Sequence, residues 1–167
     1  MPKQTVTNNE VFFKQDEMII SKTDTKGKIT YCNTAFINIS GYSEAELLGR
    51  PHNIVRHPDM PRCIYKLLWD TIKNKQEINA YVKNLCKDGS FYWVLANITP
   101  SFDDHDKIIG YFSARRKPKK EAVLFIQDIY KRLLDIEKHQ NMDESYKFLQ
   151  NFIEKKGTTY EQFILSI

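Results

Sequence analysis

The alternation of apolar and polar residues begins near residue 17 and predicts a pair of strands. The stretch "EMIISKT" (17–23) is short and apolar, as many strands are. The residues "DTKGK" that follow combine aspartate, lysine and glycine, which is typical of a turn. The strand pattern then returns in "KITYCN" (28–33). We therefore predict a β-hairpin over residues 17–32.

After this hairpin, the spacing of the apolar residues changes from every second residue, as in a strand, to every third or fourth residue, as in a helix. Apolar residues at helical spacing predict a short helix over 33–41 that ends at a glycine. "SEAE" (43–46) has the form of a capping box, in which Ser43 and Glu46 each bond the other's backbone. Pro61 suits the first turn of a longer helix. The apolar residues that predict this longer helix are Ile64, Leu67, Leu68 and Ile72.

Three further strands are predicted after the longer helix. They are "INAYVKNLC" (78–86), "SFYWVLANITP" (90–100) and "KIIGYFSARR" (107–116), and "KDG" between the first two favours a hairpin turn. This order of strands and helices predicts an α+β fold, a five-stranded antiparallel sheet with the helices on one face. A pocket is expected between the sheet and the helices.

The last part of the chain has helical periodicity throughout. Apolar residues at steps of three and four predict a helical hairpin within residues 119–167. Thr159 and Gln162 in "TTYEQ" form a second capping box before a last helical turn or two. The sequence leaves open whether these apolar stripes pack against the chain's own core or against a partner. We divide the chain into a polar segment (1–14), a main domain (15–118) and this helical extension (119–167).

Composition and charge limit the possible functions. Hydrophobic residues make up 41% of the 167 and aromatic residues 13%, which is enough for a packed core. The net charge is +4, so nucleic acid is not the expected partner, although "RRKPKK" (115–120) is locally basic. Three widely spaced cysteines predict neither a disulfide framework nor a zinc site. Because neither a membrane-spanning run nor a signal-peptide pattern is present, we expect a cytoplasmic protein without membrane insertion.

One loop contains many more charged and polar side chains than a connecting loop needs. "PHNIVRHPDMP" (51–61) holds two histidines, an arginine, an aspartate and three prolines, and the prolines prevent one continuous helix. Such a set could be a metal site, an anion-binding site or a polar structural corner. The residues of the loop alone do not choose among the three.

The order of elements, with "SGYSEAELLG" and "KDGSFYWVLANITP", resembles that of PAS domains. The loop "PHNIVRHPDMP", a downstream tryptophan, then "VKN" and "FYWV" are similar to the PAS domains of bacterial aerotaxis receptors. This resemblance covers residues 15–118 and implies FAD as cofactor, with its redox state reported to the chemotaxis machinery. Without a membrane span or signalling coiled coil, the chain is more similar to the stand-alone PAS proteins of split energy-taxis systems. The implied partner is a membrane-bound, methyl-accepting-type receptor that lacks its own sensor and recruits the protein to the membrane; homodimerisation is left open.

The resemblance and the chemistry of FAD together select seven candidate cofactor-binding residues. No GxGxxG loop is present, so we expect Arg56 and His57 to hold the pyrophosphate, with Asp59 orienting one of them. Asn84 lies on a predicted strand, where asparagine is uncommon, and is expected at the pyrimidine edge of the ring. The complete set is Asn33, His52, Arg56, His57, Asp59, Trp69 and Asn84.

Several of these residues also have purely structural explanations. Arg56 and Asp59 could form a salt bridge that stabilises a turn of the chain, and His57 could stabilise the loop in which it lies. Asn33 could serve only as a helix N-cap. Trp69 lies on the apolar side of its helix and belongs to the core whether or not it also stacks near a cofactor.

Other functional classes are weaker matches to the sequence. Light-oxygen-voltage photoreceptors need a cysteine in a "GRNCRF"-like segment, and His52 occupies that position in "GRPHNIV". A haem sensor needs an axial histidine near the long helix, and His57 is the one candidate. Ile78 stands where the aerotaxis receptors have a tryptophan shortly before "VKN", so a ring-stacking contact from that strand is not expected. We do not expect an enzyme, and a PAS scaffold with an empty pocket is the remaining alternative.

Overall fold

The computed structural model describes residues 4–167 and contains a single antiparallel sheet. Its strands lie in the order β2-β1-β5-β4-β3, so the predicted hairpin and the predicted three-stranded meander join through β1 and β5. The predicted fold class is therefore confirmed. The strands are β1 (Ile19–Thr23), β2 (Ile29–Cys32), β3 (Ile78–Leu85), β4 (Phe91–Phe102) and β5 (Ile108–Arg116).

Six α-helices and one 3-10 turn (His52–Val55) accompany the sheet in the described residues. Both predicted capping boxes are present, at Ser43 with Glu46 and at Thr159 with Gln162. The helices are α1 (Thr34–Ser40), α2 (Glu44–Leu47), α3 (Arg62–Lys73), α4 (Lys120–His139), α5 (Met142–Lys155) and α6 (Tyr160–Ser166). Pro61 stands at the N-cap of α3, one residue before the first turn predicted for it.

The two faces of the sheet carry different neighbours. Alternate residues such as Val82, Ala96 and Ser113 point towards α3, and we call this the inner face. Tyr81 and Trp93 point the other way and form the outer face. The inner face bounds the cavity described below, while the outer face of β3 and β4 is covered by the C-terminal helices.

The C-terminal helices pack against the chain's own core. The Tyr130 hydroxyl of α4 donates to the Tyr81 carbonyl at 2.6 Å, and its ring lies 6.1 Å from that of Trp93. This packing answers the question that the sequence left open, although Leu124, Phe125 and Leu165 stay exposed. The core residues that these helices contribute include Ile126, Ile129, Leu133, Leu149, Ile153, Phe163 and Ile164.

A glutamate of α4 caps the helix α3. Glu137 accepts hydrogen bonds from the backbone N–H groups of Arg62 and Cys63, at 3.0 and 2.9 Å, and from the Ser145 hydroxyl at 2.9 Å. Pro61 offers no side-chain cap, so Glu137 satisfies N–H groups that would otherwise be unpaired. Burial raises the pKa of Glu137, but these donors outweigh it and hold the pKa below the usual 4.5. The cap ties the C-terminal helices to the cavity-forming helix.

The N-terminal segment lies beside the start of β4. Phe91 exchanges backbone hydrogen bonds with Asn9 and Val11, and Phe13 is buried in the core. A side chain at Gly89 would collide with the backbone of Thr5, so this close approach requires a glycine. Of the segment predicted over 1–14, residues 1–3 lie outside the described residues.

Between residues 4 and 167, no helix combines the length and the apolar composition needed to cross a bilayer.

We predict that Glu137→Gln lowers the free energy of unfolding by about 1–2 kcal/mol, because the amide lacks the negative charge that favours a helix N-terminus and one of the two accepting oxygens. The folded pKa lies below the unfolded one, so this contribution is full above pH 4.5 and is lost as the pH falls through the folded value. Urea unfolding near pH 7 and at about pH 3 should therefore show a difference from wild type that shrinks in acid. Glu154→Gln, at an exposed position of α5, is the control. A loss of the same size in both variants would contradict the cap.

Candidate functional site

A cavity of about 490 Å³ separates the inner face of the sheet from α3. One part of its lining is buried and polar, and another is a solvent-exposed rim rich in cations. The walls between them are mainly apolar and consist of Val55, Leu68, Trp69, Ile72, Val82, Ala96, Ile98 and Tyr111. A pocket of this size with a few placed polar groups suits a small organic molecule that has an apolar body.

Trp69 forms one apolar wall of the cavity. Its ring meets Tyr111 edge to face, with the ring centroids 5.5 Å apart. The turn between β1 and β2 approaches the same ring at Gly27, whose φ is +80°. A Cβ at Gly27 would lie 3.1 Å from the indole, so glycine permits both the backbone conformation and the close contact.

Three polar residues form what we call the Arg115 group: Ser21 and Arg115, which are buried, and His52, which is half-buried. The Arg115 side chain is almost fully buried and donates from Nη2 to Ser21 Oγ at 2.7 Å. His52 Nε2 lies 2.9 Å from the same hydroxyl oxygen and 3.5 Å from Arg115 Nη1. Because a guanidinium can only donate, Nε2 accepts and the ring proton lies on Nδ1. Ser21 then accepts from Arg115 and donates to His52.

The Arg115 group carries one net positive charge at neutral pH. Burial, aided by the nearby guanidinium, lowers the pKa of His52 to about 3, so the imidazole is neutral. Burial lowers the pKa of Arg115 to about 10, which leaves the guanidinium protonated. Among residues 4–167, no carboxylate forms an ion pair with Arg115, and its buried Nε–H has no hydrogen-bond acceptor.

The rim of the cavity carries four cationic residues. Arg56 stacks over the Tyr65 ring, 4.0 Å from its centroid, and its backbone forms an antiparallel bridge with Asn84 of β3. Burial raises the pKa of Tyr65 to about 12 against the opposing effect of Arg56, so the phenol is neutral. We call this set the cationic rim: Lys26, Arg56, Arg62 and Lys66.

His57 and Asp59 lie behind the rim and do not line the cavity. His57 is buried, and its Nδ1 accepts from the Asp59 backbone N–H at 3.0 Å. The Asp59 carboxylate is exposed and bonds Lys83 at 2.7 Å rather than Arg56. The salt bridge considered between Arg56 and Asp59 therefore does not form. Burial and the Lys83 charge lower the pKa of His57, against the effect of Asp59.

Asn33 has a structural role at the start of α1. Its side-chain oxygen accepts from the backbone N–H groups of Phe36 and Ile20, at 3.1 and 3.0 Å, and its amide donates to the Met18 carbonyl at 2.8 Å. The residue caps the helix, joins it to β1, and lies outside the cavity lining.

Of the seven predicted site residues, the structure places His52, Arg56, Trp69 and Asn84 in the cavity lining. Their contacts with a cofactor stay predictions. Sequence reasoning missed Arg115, although Tyr111, Ser113 and Arg115 alternate along β5 and therefore share the inner face. That alternation was the available signal. Arg115 also begins the basic run 115–120, and the residues of such runs are usually exposed.

A family model described as the PAS fold matches residues 29–114, just over half of the 167 residues. The chain belongs to the PAS family. This PAS chain is similar to the aerotaxis receptor of Escherichia coli (strain K12), at 39% identity over 128 residues, which cover 77% of this chain and 25% of the receptor. It is also similar to the nitrogen fixation regulatory protein of Klebsiella pneumoniae, at 33% identity over 103 residues, covering 62% of this chain and 21% of that protein. The PAS chain thus spans a quarter or less of the length of either relative.

A solved structure of a light-oxygen-voltage domain, described for work with a flavin analogue, has a similar PAS fold. The TM-score is 0.58 at 20% identity, and the match covers 74% of this chain and 89% of that one. At this identity the likeness concerns the fold alone. None of Cys32, Cys63 and Cys86 lines the cavity of the present PAS chain. Within the described residues, no three side chains of the usual metal-binding types cluster together.

Proposed function

We propose that this PAS protein binds FAD in the cavity and transmits the redox state of the flavin to a chemotaxis-type receptor by direct contact. The observation that carries the proposal is the layout of the cavity, which has apolar walls, the buried cationic Arg115 group and the cationic rim. We do not propose that the protein is an enzyme. The protein would act in the cytoplasm and reach the membrane through its receptor.

The walls and the buried end suit the isoalloxazine ring. The ring is flat and apolar over most of its area, and its pyrimidine edge carries hydrogen-bond acceptors and one donor. Trp69 and Tyr111 offer aromatic surface to such a ring, and Asn84 can supply either a donor or an acceptor at its edge. A bound flavin supplies reversible electron uptake, while the side chains of the protein bind, orient and shield the ring.

The cationic rim suits the pyrophosphate that distinguishes FAD from smaller flavins. Arg62 and Lys66 already contact Glu137 and Asp70, whereas Arg56 has no ion pair among the described residues. Its guanidinium is held only by stacking on Tyr65, so its N–H groups can bond phosphate oxygens in pairs. Arg56 is therefore the rim residue expected to contribute most to binding.

The names of two similar proteins also support a sensory function and a flavin cofactor. One is named an aerotaxis receptor, and a structural neighbour of the same fold was studied with a flavin analogue. The other candidate cofactors fit the cavity less well. A haem would need a free histidine nitrogen, yet His57 lies outside the lining and His52 Nε2 is already engaged. A photochemical adduct with a flavin would need a cysteine in the lining.

We predict that the purified protein carries non-covalent FAD or takes it up when it is added. The cofactor should be released by heat and identified by chromatography against FAD, FMN and riboflavin, with the visible spectrum recorded first. Bound haem, bound FMN alone, or no uptake of added FAD would contradict the proposal. The last result would leave the PAS scaffold without cofactor as the function.

We predict that Arg56→Ala weakens FAD binding by roughly 10- to 150-fold, through loss of charge-assisted hydrogen bonds to phosphate worth about 1.5–3 kcal/mol. Riboflavin binding should change much less, because riboflavin has no phosphate. Fluorescence titration with both ligands measures the two effects. Asp59→Asn is the matched control from the same loop, since its carboxylate is exposed and outside the lining. An equal loss in both variants would show that the loop acts through its structure and not through Arg56.

We predict that the cytoplasmic part of a methyl-accepting-type receptor from the same organism binds this protein with an affinity that depends on the flavin redox state. A useful coupling is about 5- to 150-fold between the two states. Titrations under air and under dithionite, with reduction followed optically, measure it, and the flavin-free protein is the control. Identical affinities in both states would refute redox-dependent signalling through this contact.

A further inference from the structure

Arg115 is buried without the partner that a buried charge normally has. Its side chain is only 2% exposed, and no ion pair reaches it within residues 4–167. Buried arginines are usually paired with a carboxylate, since removing a charge from water is costly. Here the guanidinium has one strong hydrogen bond, to Ser21, and a long one to His52. None of the described residues offers an acceptor to its Nε–H.

The surrounding groups compensate for only part of this cost. The Phe36 ring lies 4.4 Å from the guanidinium carbon and gives a cation–π contact. The other nearby titratable groups are neutral at pH 7, because burial lowers the pKa of His52 to about 3 and raises that of the Tyr92 phenol above its usual value. The protein thus keeps an uncompensated positive charge in the lining of the cavity.

The Arg115 group also fixes the position of this charge. Ser21 is fully buried on β1, and Arg115 lies on the neighbouring strand β5, so both anchor atoms belong to the sheet. His52 is held from the other side by edge contact with Phe36 and by the hydroxyl of Ser21. Nε2 of the neutral imidazole lies 3.5 Å from Arg115 Nη1 and is a second, weaker contact for the guanidinium. A charge that is fixed before a ligand arrives is typical of a site that stabilises charge on that ligand.

We propose that the Arg115 group stabilises the negative charge that a flavin acquires on reduction and so raises the reduction potential of the bound cofactor. This inference rests on the function proposed above. Two electrons from an external reductant and one proton from solvent, placed on N5, convert the oxidised ring into its reduced monoanion. The added negative charge is shared by N1 and the adjacent carbonyl. Arg115 binds this reduced form more tightly than the neutral oxidised ring, and the difference in affinity favours reduction.

The experiment compares the wild type with Arg115→Gln, which removes the charge but keeps donor groups. The flavin-loaded proteins are titrated at pH 7 by spectroelectrochemistry, and the affinity for oxidised flavin is measured separately. We expect Arg115→Gln to weaken binding of the reduced form at least tenfold relative to the oxidised form, which lowers the two-electron potential by about 30 mV. Arg115→Lys keeps the charge and should lower it less. Arg116→Gln, at the adjacent exposed position, should match wild type.

Each outcome of this experiment decides the question. An unchanged potential in Arg115→Gln overturns the inference, and so does an equal loss of affinity for both redox forms, which is the result if Arg115 contacts a phosphate. If Arg115→Gln does not fold, the variant Ser21→Ala tests the inference instead. It removes the hydroxyl that fixes the guanidinium but keeps the charge, and it should lower the reduction potential of the flavin. An unchanged potential in Ser21→Ala would then overturn the inference. A wild-type chain that takes up no flavin refutes the proposed function itself, which the first titration shows before any variant is compared.

Discussion

The cavity depends on helix α3 standing away from part of the sheet. Leu68 and Ile72 of α3 pack with Ile78 and Tyr111 of the sheet, and further contacts lie at both ends of the helix. At the N-terminus, Glu137 bonds the backbone of Arg62 and Cys63. Beyond the C-terminus, the exposed side chains of Lys75 and Asp106 form an ion pair at 2.8 Å, which is a weaker contact than the cap because solvent screens it. Residues that line an unfilled gap lose packing contacts on one side, and a ligand that fills the gap restores them and stabilises the folded chain by mass action.

The strand β3 connects the cavity to the C-terminal helices. Val82 and Asn84 face the cavity, whereas the Tyr81 carbonyl accepts the Tyr130 hydroxyl on the opposite side. The backbone bridge between Arg56 and Asn84 joins the cationic rim to the same strand. A displacement of β3 would therefore change the cationic rim, the cavity and the packing of α4 together. Strands β1 and β2 have no comparable contact with these helices among the larger contacts of the described residues.

Elements whose determinants are local were predictable from the sequence. The hairpin, the meander and both capping boxes follow from turn residues and from residues three positions apart, and all are present. The assignment of polar residues to the cavity was less complete, because it depends on distant parts of the chain. Asp59 follows His57 closely in sequence, yet its carboxylate turns outward to Lys83 of β3. Arg115 enters the site because Ser21 of β1, which is far away in sequence, pairs with the same strand.

His52 gives the cavity a side chain that can accept a hydrogen bond but cannot act as a thiol nucleophile. The imidazole is neutral at pH 7, because burial lowers its pKa to about 3. Its accepting nitrogen is already used by Ser21 and Arg115, and the buried cysteines lie outside the lining. This loop therefore helps to orient a buried cation in the lining of the cavity. The PAS fold alone does not determine what the cavity does, because its chemistry depends on the side chains that the surrounding elements place there.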